Sequence, residues 1–478
     1  MRFDSVVFLA FFVVAWSVWR LLPLRAAKFG TLALSLAFYG WWRWEYLLLI
    51  LFSSAIDYWA AARIDATEDK AARLRWLLLS LVTNLGLLAF FKYTPLVVRT
   101  VLMLDAPPAP VPGWVDEWVV PVGISFYTFQ TLSYTIDVHR GDLKPCRTFL
   151  DFFLFVSFFP QLVAGPILRA SELLPQLEQR AALSWPRVQI GLYRVVSGLF
   201  WKIVVADGLA MSVERIYSPA RAASASTLDA WLATACFGGQ IYADFAGYSG
   251  IAIGLAHLMG LRFPENFRYP YIAASLSEFW KRWHISLSRW LRDYLYIPLG
   301  GNRRGKLRTY ANLLVTMLLG GLWHGASWSF LAWGAIHGAG LAIEKALGLE
   351  GRNKVGEWPL AGALDFVARL ARIALVWAIV HTAWVYFRAA DFGTANALVA
   401  HMWIDPLRGA SGGASILFDS PQLLFLLPVV LAHVAQCGHE WLGVRKTGAM
   451  RVALAGAYLA CLLLVDRGEG SPFLYFQF

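Results

Sequence analysis

Trp323-His324-Gly325-Ala326-Ser327-Trp328 sets an ionisable imidazole between two indoles and beside a glycine, inside a long apolar region. Insertion scales put an Arg, Lys or Asp at mid-helix about 2.5–3.5 kcal/mol uphill, so ionisable groups in hydrocarbon are normally paired, hydrated or functional. An imidazole can take up a proton and return it near neutral pH. A second histidine closes Trp280-Lys281-Arg282-Trp283-His284, where the flanking charges resemble a membrane surface. Two histidines at different depths of one membrane protein point to a reaction or to a transport path.

Other groups could take part. Asp244 lies in the apolar run Gln240-Ile241-Tyr242-Ala243-Asp244-Phe245-Ala246-Gly247. A carboxylate there is a functional candidate, and it could equally accept a hydrogen bond from a basic helix or orient a histidine. Gly300-Gly301-Asn302-Arg303-Arg304-Gly305 is a basic turn. It could hold the phosphates of a large acyl donor or simply mark topology; it lacks the Lys-Ser/Thr ending of a phosphate-binding loop. His257, His337 and His381 read as packing or pathway residues, with His337 the weaker catalytic candidate. His433, Cys437 and His439 are better explained by packing on an apolar helix than by a metal, so no metal site is expected. Gly409-Ala410-Ser411-Gly412-Gly413 matches a nucleophile elbow by letter, but the strand and helix that motif needs are missing from the pattern.

The elements that position these groups are membrane helices. The chain has 478 residues, of which 58% are hydrophobic and 15% charged, with 23 Trp, 18 Tyr and 32 Phe. Soluble proteins carry about 25% charged residues. Apolar runs of about twenty residues span a hydrocarbon core, and Trp and Tyr suit its two interfaces. The net charge of +11 is therefore a topology and headgroup signal rather than a nucleic-acid one. The four cysteines show no paired spacing, and the N-terminal apolar run reads as a retained span.

Run 149–167 contains Pro160, Gly165 and Pro166 and is expected to be re-entrant or broken. Segment 275–300 interleaves Phe279, Trp283, Trp290 and Tyr294 with cations, the pattern of an interfacial helix. Segment 281–308 holds eight basic residues against Asp293, and loop 62–75 is also basic; both should be cytoplasmic. Alternation then places loop 94–117, loop 389–420 and both termini outside. No repeat or domain boundary is visible, so residues 1–478 read as one all-α polytopic unit.

At this point the chain resembles the membrane-bound O-acyltransferases, and looks closest to their bacterial alginate O-acetyltransferase branch. The resemblance is carried by Phe158-Phe159-Pro160-Gln161-Leu162-Val163-Ala164-Gly165-Pro166-Ile167, Asp244 through Ser249, Pro264-Glu265-Asn266-Phe267, Phe279 through Gly301, Leu322 through Trp328, and Trp384-Val385-Tyr386-Phe387-Arg388-Ala389. It implies about eleven transmembrane helices around a thin centre, with re-entrant and cytoplasmic interfacial helices. It implies that His324 is the catalytic histidine and His284 the second active-site histidine. Substrate contacts fall to Trp323, Trp328, Asp244, Asn266, Arg303 and Arg304.

The expected activity is acetyl transfer from a cytoplasmic thioester, such as acetyl-CoA, to an exported polysaccharide such as alginate. No permanently bound cofactor is implied. The implied setting is the bacterial inner membrane, with a periplasmic acetyltransferase partner and no nucleic acid. Alternatives are D-alanyl or other acyl transfer to a cell-wall polymer, or a secondary carrier with a histidine proton relay.

Overall fold

The computed structural model describes the chain apart from residues 2, 102–118, 163–164, 351–362, 407–414, 416, 418–419, 443–446, 465–473 and 475–478. The acids of the proline-rich loop and the Gly409–Gly413 stretch lie outside the described residues. All regular elements among the described residues are helical. They form two compact units: Met1–Val195 with Tyr248–Pro264, and Val196–Gly247 with Glu265–Phe478.

In the first unit, helices Val6–Leu21 and Leu24–Gly40 form a hairpin broken at Pro23. Ser5 caps the first by accepting the Phe8 N–H. Helices Leu47–Asp65 and Lys70–Val101 form the next pair, and the Asp69 carboxylate accepts the Ala71 and Ala72 N–H groups that open the second. That helix runs past Pro95 to Val101, so the loop expected from residue 94 begins later.

Helix Ile124–Arg140 is buried along nearly its whole length despite many hydroxyl groups. Ser133, Thr131 and Thr135 satisfy theirs on carbonyls three or four residues back, at 2.7, 3.2 and 3.2 Å, which removes the cost of burying them. Asp57 is fully buried and accepts from Ser80 at 2.5 Å and from Asn84 at 2.8 and 2.9 Å. These side-chain bonds tie the 47–65 and 70–101 helices together where backbone bonds cannot.

The break expected in run 149–167 is present. Thr148 caps helix Phe149–Ser157, and the chain leaves helical geometry at Phe158 before one further turn, Phe159–Leu162. Both pieces are mostly buried, which is where non-helical backbone at membrane depth is tolerated.

Among the described residues, four helices are long and apolar enough to cross a membrane: Trp44–Asp65, Lys70–Val98, Trp185–Tyr217 and Leu364–Arg388. Val6–Leu21, Pro421–Cys437 and Gly448–Leu464 are shorter apolar helices. The chain is thus a multi-pass membrane protein; other helices long enough to cross, such as Thr227–Met259, Lys306–His324 and Trp328–Ala346, are not among these four candidate spans.

The second unit holds the 196–217 part of one long helix, which becomes π-helical over Phe200–Ala206. Beside it run residues 227–247 of helix Thr227–Met259. The hairpin Lys306–His324 and Trp328–Ala346 and the helix Ala363–Arg388 complete its core. Segment 275–300 departs from the single interfacial helix expected. It folds as Leu276–Arg282, Ile285–Leu291 and a π-helical turn Arg292–Tyr296. Phe279, Trp283, Trp290 and Tyr294 are buried rather than spread on a surface. Arg282 is buried too, its guanidinium 2.9 Å from the Glu278 carboxylate. An aromatic stripe satisfies a protein core as well as a bilayer, and the break at His284 turns the stripe inward.

Candidate active site

His324 is the last residue of the 306–324 helix, and Gly325 leaves helical geometry immediately after it. The following helix opens at Ser327, whose hydroxyl accepts the Phe330 N–H. This tight return needs glycine. A Cβ on Gly321 would collide with the Phe330 carbonyl, and one on Gly334 with that of Met317. The two helices therefore touch backbone to backbone.

His324 is 4% exposed. Around it stand Trp323 at 4.9 Å, Trp333 at 5.1 Å and Phe387 at 5.2 Å between ring centroids, all steeply inclined to the imidazole. His284 lies 6.4 Å away, centroid to centroid. The structure thus brings together the two histidines that the sequence singled out.

His284 is held in an unusual backbone state, with φ of 40°. A non-glycine residue there is strained, and such strain collects at functional sites. Asn266 holds it in place. Its backbone carbonyl accepts the Ile285 N–H at 2.9 Å. Its Oδ1 accepts the Ser286 N–H at 3.2 Å and the Ser286 hydroxyl at 2.9 Å. Because Oδ1 already faces a backbone donor, the His284 Nδ1 beside it at 3.2 Å must be the protonated nitrogen. The His284 Nε2 then carries a lone pair, and it has no hydrogen-bond partner among the described residues. His284 lies outside the four candidate spans, and burial lowers its pKa to about 3. It is a neutral imidazole of fixed tautomer at physiological pH. Phe245 packs against it at 4.7 Å between centroids, the two rings nearly perpendicular.

The other candidates fall in different places. Trp323 is buried and also faces His284, at 6.1 Å. Trp328 opens its helix and is 50% exposed. Arg303 and Arg304 are exposed on the glycine turn, which Asn312 braces through a 3.0 Å bond to the Gly301 carbonyl. His433 is buried among Tyr242, Tyr269 and Tyr271. The described residues contain no cluster of three metal-ligating side chains, and His439 lies outside those whose side chains are described.

Asp244 is engaged by the protein itself. Its carboxylate meets Lys202 at 3.0 Å and accepts the Leu474 N–H at 2.7 Å. Lys202 is 1% exposed and also meets Asp207 at 2.8 Å. Asp244 therefore locks the π-helical section to the neighbouring helix, one residue from the Phe245 that walls His284. Removing one partner of a buried pair leaves an uncompensated charge, a loss of about 3–5 kcal/mol. Lys202→Met should accordingly lower the thermal midpoint of the detergent-solubilised protein sharply. An unchanged midpoint would show that this ion pair does not hold the unit together.

Residues that the sequence reading did not place at the site are Trp333, Trp384, Phe387 and Phe245. Trp333 and His337 carry a local signal, the i, i+4 spacing that puts both on one helix face. Trp384 and Phe387 lie in a stretch that carries the family resemblance, but their helix arrives from far along the chain and its own periodicity does not point to the histidines.

The site can therefore do base chemistry: a buried imidazole at a helix end, a second neutral imidazole of fixed tautomer, and aromatic walls around both. A model of the membrane-bound O-acyltransferase family matches residues 147–349, the stretch that holds both histidines and Asn266. The chain is 36% identical to a probable alginate O-acetylase of Azotobacter vinelandii over 100% of both chains. It is 35% identical to a peptidoglycan O-acetyltransferase of Helicobacter pylori over 84% of this chain and 77% of that one. It is 33% identical to a teichoic acid D-alanyltransferase of Streptococcus thermophilus over 47% of this chain and 57% of that one. All three are named for transfer of an acyl group, so of enzyme and carrier it is the enzyme that the relatives support. With the likeness running the full length, the chain belongs to the membrane-bound O-acyltransferase family and is an O-acyltransferase.

Proposed function

We propose that this protein passes an acetyl group from a cytoplasmic thioester, acetyl-CoA being the simplest, across the membrane for O-acetylation of an exported polysaccharide such as alginate. The observation that carries this reading is the end-to-end similarity to the alginate O-acetylase, against partial coverage for the D-alanyltransferase. The reading places the protein in the bacterial inner membrane with its termini outside, Arg303 and Arg304 near the donor phosphates, and a periplasmic acetyltransferase partner receiving the group.

In the proposed reaction an acceptor hydroxyl attacks the thioester carbonyl. A hydroxyl is a weak nucleophile until a base removes its proton, and His324 takes that role. The C–O bond forms, the carbonyl oxygen becomes an oxyanion, and the C–S bond then breaks. The proton held by His324 passes to the departing sulfur, leaving an ester and a thiol. His284 supplies the Nε2 lone pair as a fixed acceptor beside the reacting groups.

Oriented membrane vesicles test the direction. Inside-out vesicles expose the cytoplasmic face and should consume added radiolabelled acetyl-CoA; right-side-out vesicles should not. Consumption by right-side-out vesicles alone would reverse the proposed topology, and consumption by neither would remove acetyl-CoA as the donor.

A further inference from the structure

Next to His324, in the same unit, stand three rings whose polar atoms have no hydrogen-bond partner among the described residues. They are the indole Nε1 groups of Trp280 and Trp333 and both ring nitrogens of His337. All three residues are buried, Trp280 at 9%, Trp333 at 1% and His337 at 0% exposed. They form one cluster. Trp280 and His337 are 5.1 Å apart, Trp333 and His337 4.9 Å, and Trp280 and Trp333 5.7 Å between centroids. Trp333 is the ring that packs 5.1 Å from His324.

Buried polar side chains nearly always find a partner. One left unpaired costs about 1–3 kcal/mol, so three side by side call for a ligand. The inventory of the cluster describes that ligand. Each indole is a donor only, and a neutral imidazole offers one donor and one acceptor. The cluster therefore presents three donors against one acceptor, with no formal charge of its own. Its other walls, Phe279 at 6.0 Å and Trp384 at 6.4 Å from His337, are aromatic. A phosphate would be left without a counter-charge in such surroundings. A carbonyl oxygen fits: it only accepts, and it gains negative charge when its carbon is attacked. Neutral donors in a dry site then strengthen their hold as that charge develops.

We propose that Trp280, Trp333 and His337 form the subsite for the acyl carbonyl of the thioester, and that their N–H groups stabilise the oxyanion formed when the acceptor attacks. This rests on the thioester donor of the preceding section. The step adds nothing to its balance: the carbonyl π electrons move onto oxygen as the C–O bond forms, and return as the C–S bond breaks and sulfur leaves. No oxidant or reductant is involved.

Two analogues that cannot be cleaved at sulfur separate this subsite from the donor reading. One is a coenzyme A thioether bearing a ketone at the acyl position, and the other is the matching alkyl thioether without the oxygen. The wild-type protein should bind the ketone about tenfold more tightly, the worth of one or two net hydrogen bonds. Trp280→Phe and Trp333→Phe keep a ring and remove the N–H, and each should bring that ratio towards one. In turnover they should lower kcat by about a hundredfold, as loss of one oxyanion donor does, with little change in KM. His337→Gln, which retains a donor, should keep more activity than His337→Leu. Equal wild-type binding of the two analogues overturns the carbonyl subsite while leaving the donor intact. Binding of neither overturns the donor and the subsite together. Trp→Phe variants with wild-type kcat would assign the unpaired N–H groups to water and end the proposal.

Discussion

His324→Ala should abolish acyl transfer in membranes that still contain folded protein. General-base catalysis is worth about 10²–10⁴-fold, and the rings packed directly on His324 offer no replacement. Its aromatic neighbours Trp323, Trp333 and Phe387 include no base. His284 is 6.4 Å away and held by Asn266 in another orientation. The substitution removes a side chain from the end of the 306–324 helix, just before Gly325. The hairpin is kept by Gly321 and Gly334, so insertion and folding should persist. Transfer of radiolabelled acetyl groups by the purified variant, beside a thermal melt, checks both halves. Added imidazole should restore part of the activity by entering the vacated space. A His324→Ala protein working near the wild-type rate would remove this residue from the mechanism.

How much of this site was legible follows from what each residue does locally. His324 was visible because an ionisable group in an apolar run contradicts its surroundings. His284 is visible as a histidine, but its flanking charges suggest a membrane surface whereas the fold buries it. Phe279, Trp283, Trp290 and Tyr294 at helical spacing look the same whether they face lipid headgroups or a protein core. Only the backbone at His284, with φ of 40°, decides which way they turn. Asp244 was legible as an intramembrane carboxylate, but its partners Lys202 and Leu474 lie on distant segments. Local periodicity has no access to pairings across the fold. The same holds for Phe387 and Trp384, which a helix far along the chain delivers to the histidine pocket. The break after Ser157 was legible because proline and glycine act on their own backbone. The all-helical class followed from apolar runs, while the number of crossings did not, since a run such as 149–167 is apolar enough to cross and yet folds as interrupted turns.

The largest remaining effect is expected at His284, and the choice of variant matters. Alanine at φ of 40° adds backbone strain to the loss of the ring, so an inactive His284→Ala protein leaves two explanations. Glycine takes positive φ without steric cost. His284→Gly therefore keeps the turn between the Leu276–Arg282 and Ile285–Leu291 helices while removing only the imidazole. It should lower kcat by about a hundredfold, the lower end of the acid–base range, with the melt near that of wild type at neutral pH. The acid side supplies an independent check. Burial holds the His284 pKa near 3, below an unfolded value of about 6.5. The unfolded chain then binds the extra proton between those values, so this group's stabilising contribution is complete above pH 6.5 and drains away as pH falls towards 3. His284→Gly lacks that drain, so its melt should fall less steeply than wild type on acidification from pH 6.5 to 5. Asn266→Ala offers the intermediate case. It frees the ring to change tautomer and should cost about tenfold, as loss of an outer-shell orienting group does at metal-bound histidines. If His284→Gly turns over like wild type, the segment is scaffold, and Asn266 merely ties together the backbone that the histidine strains.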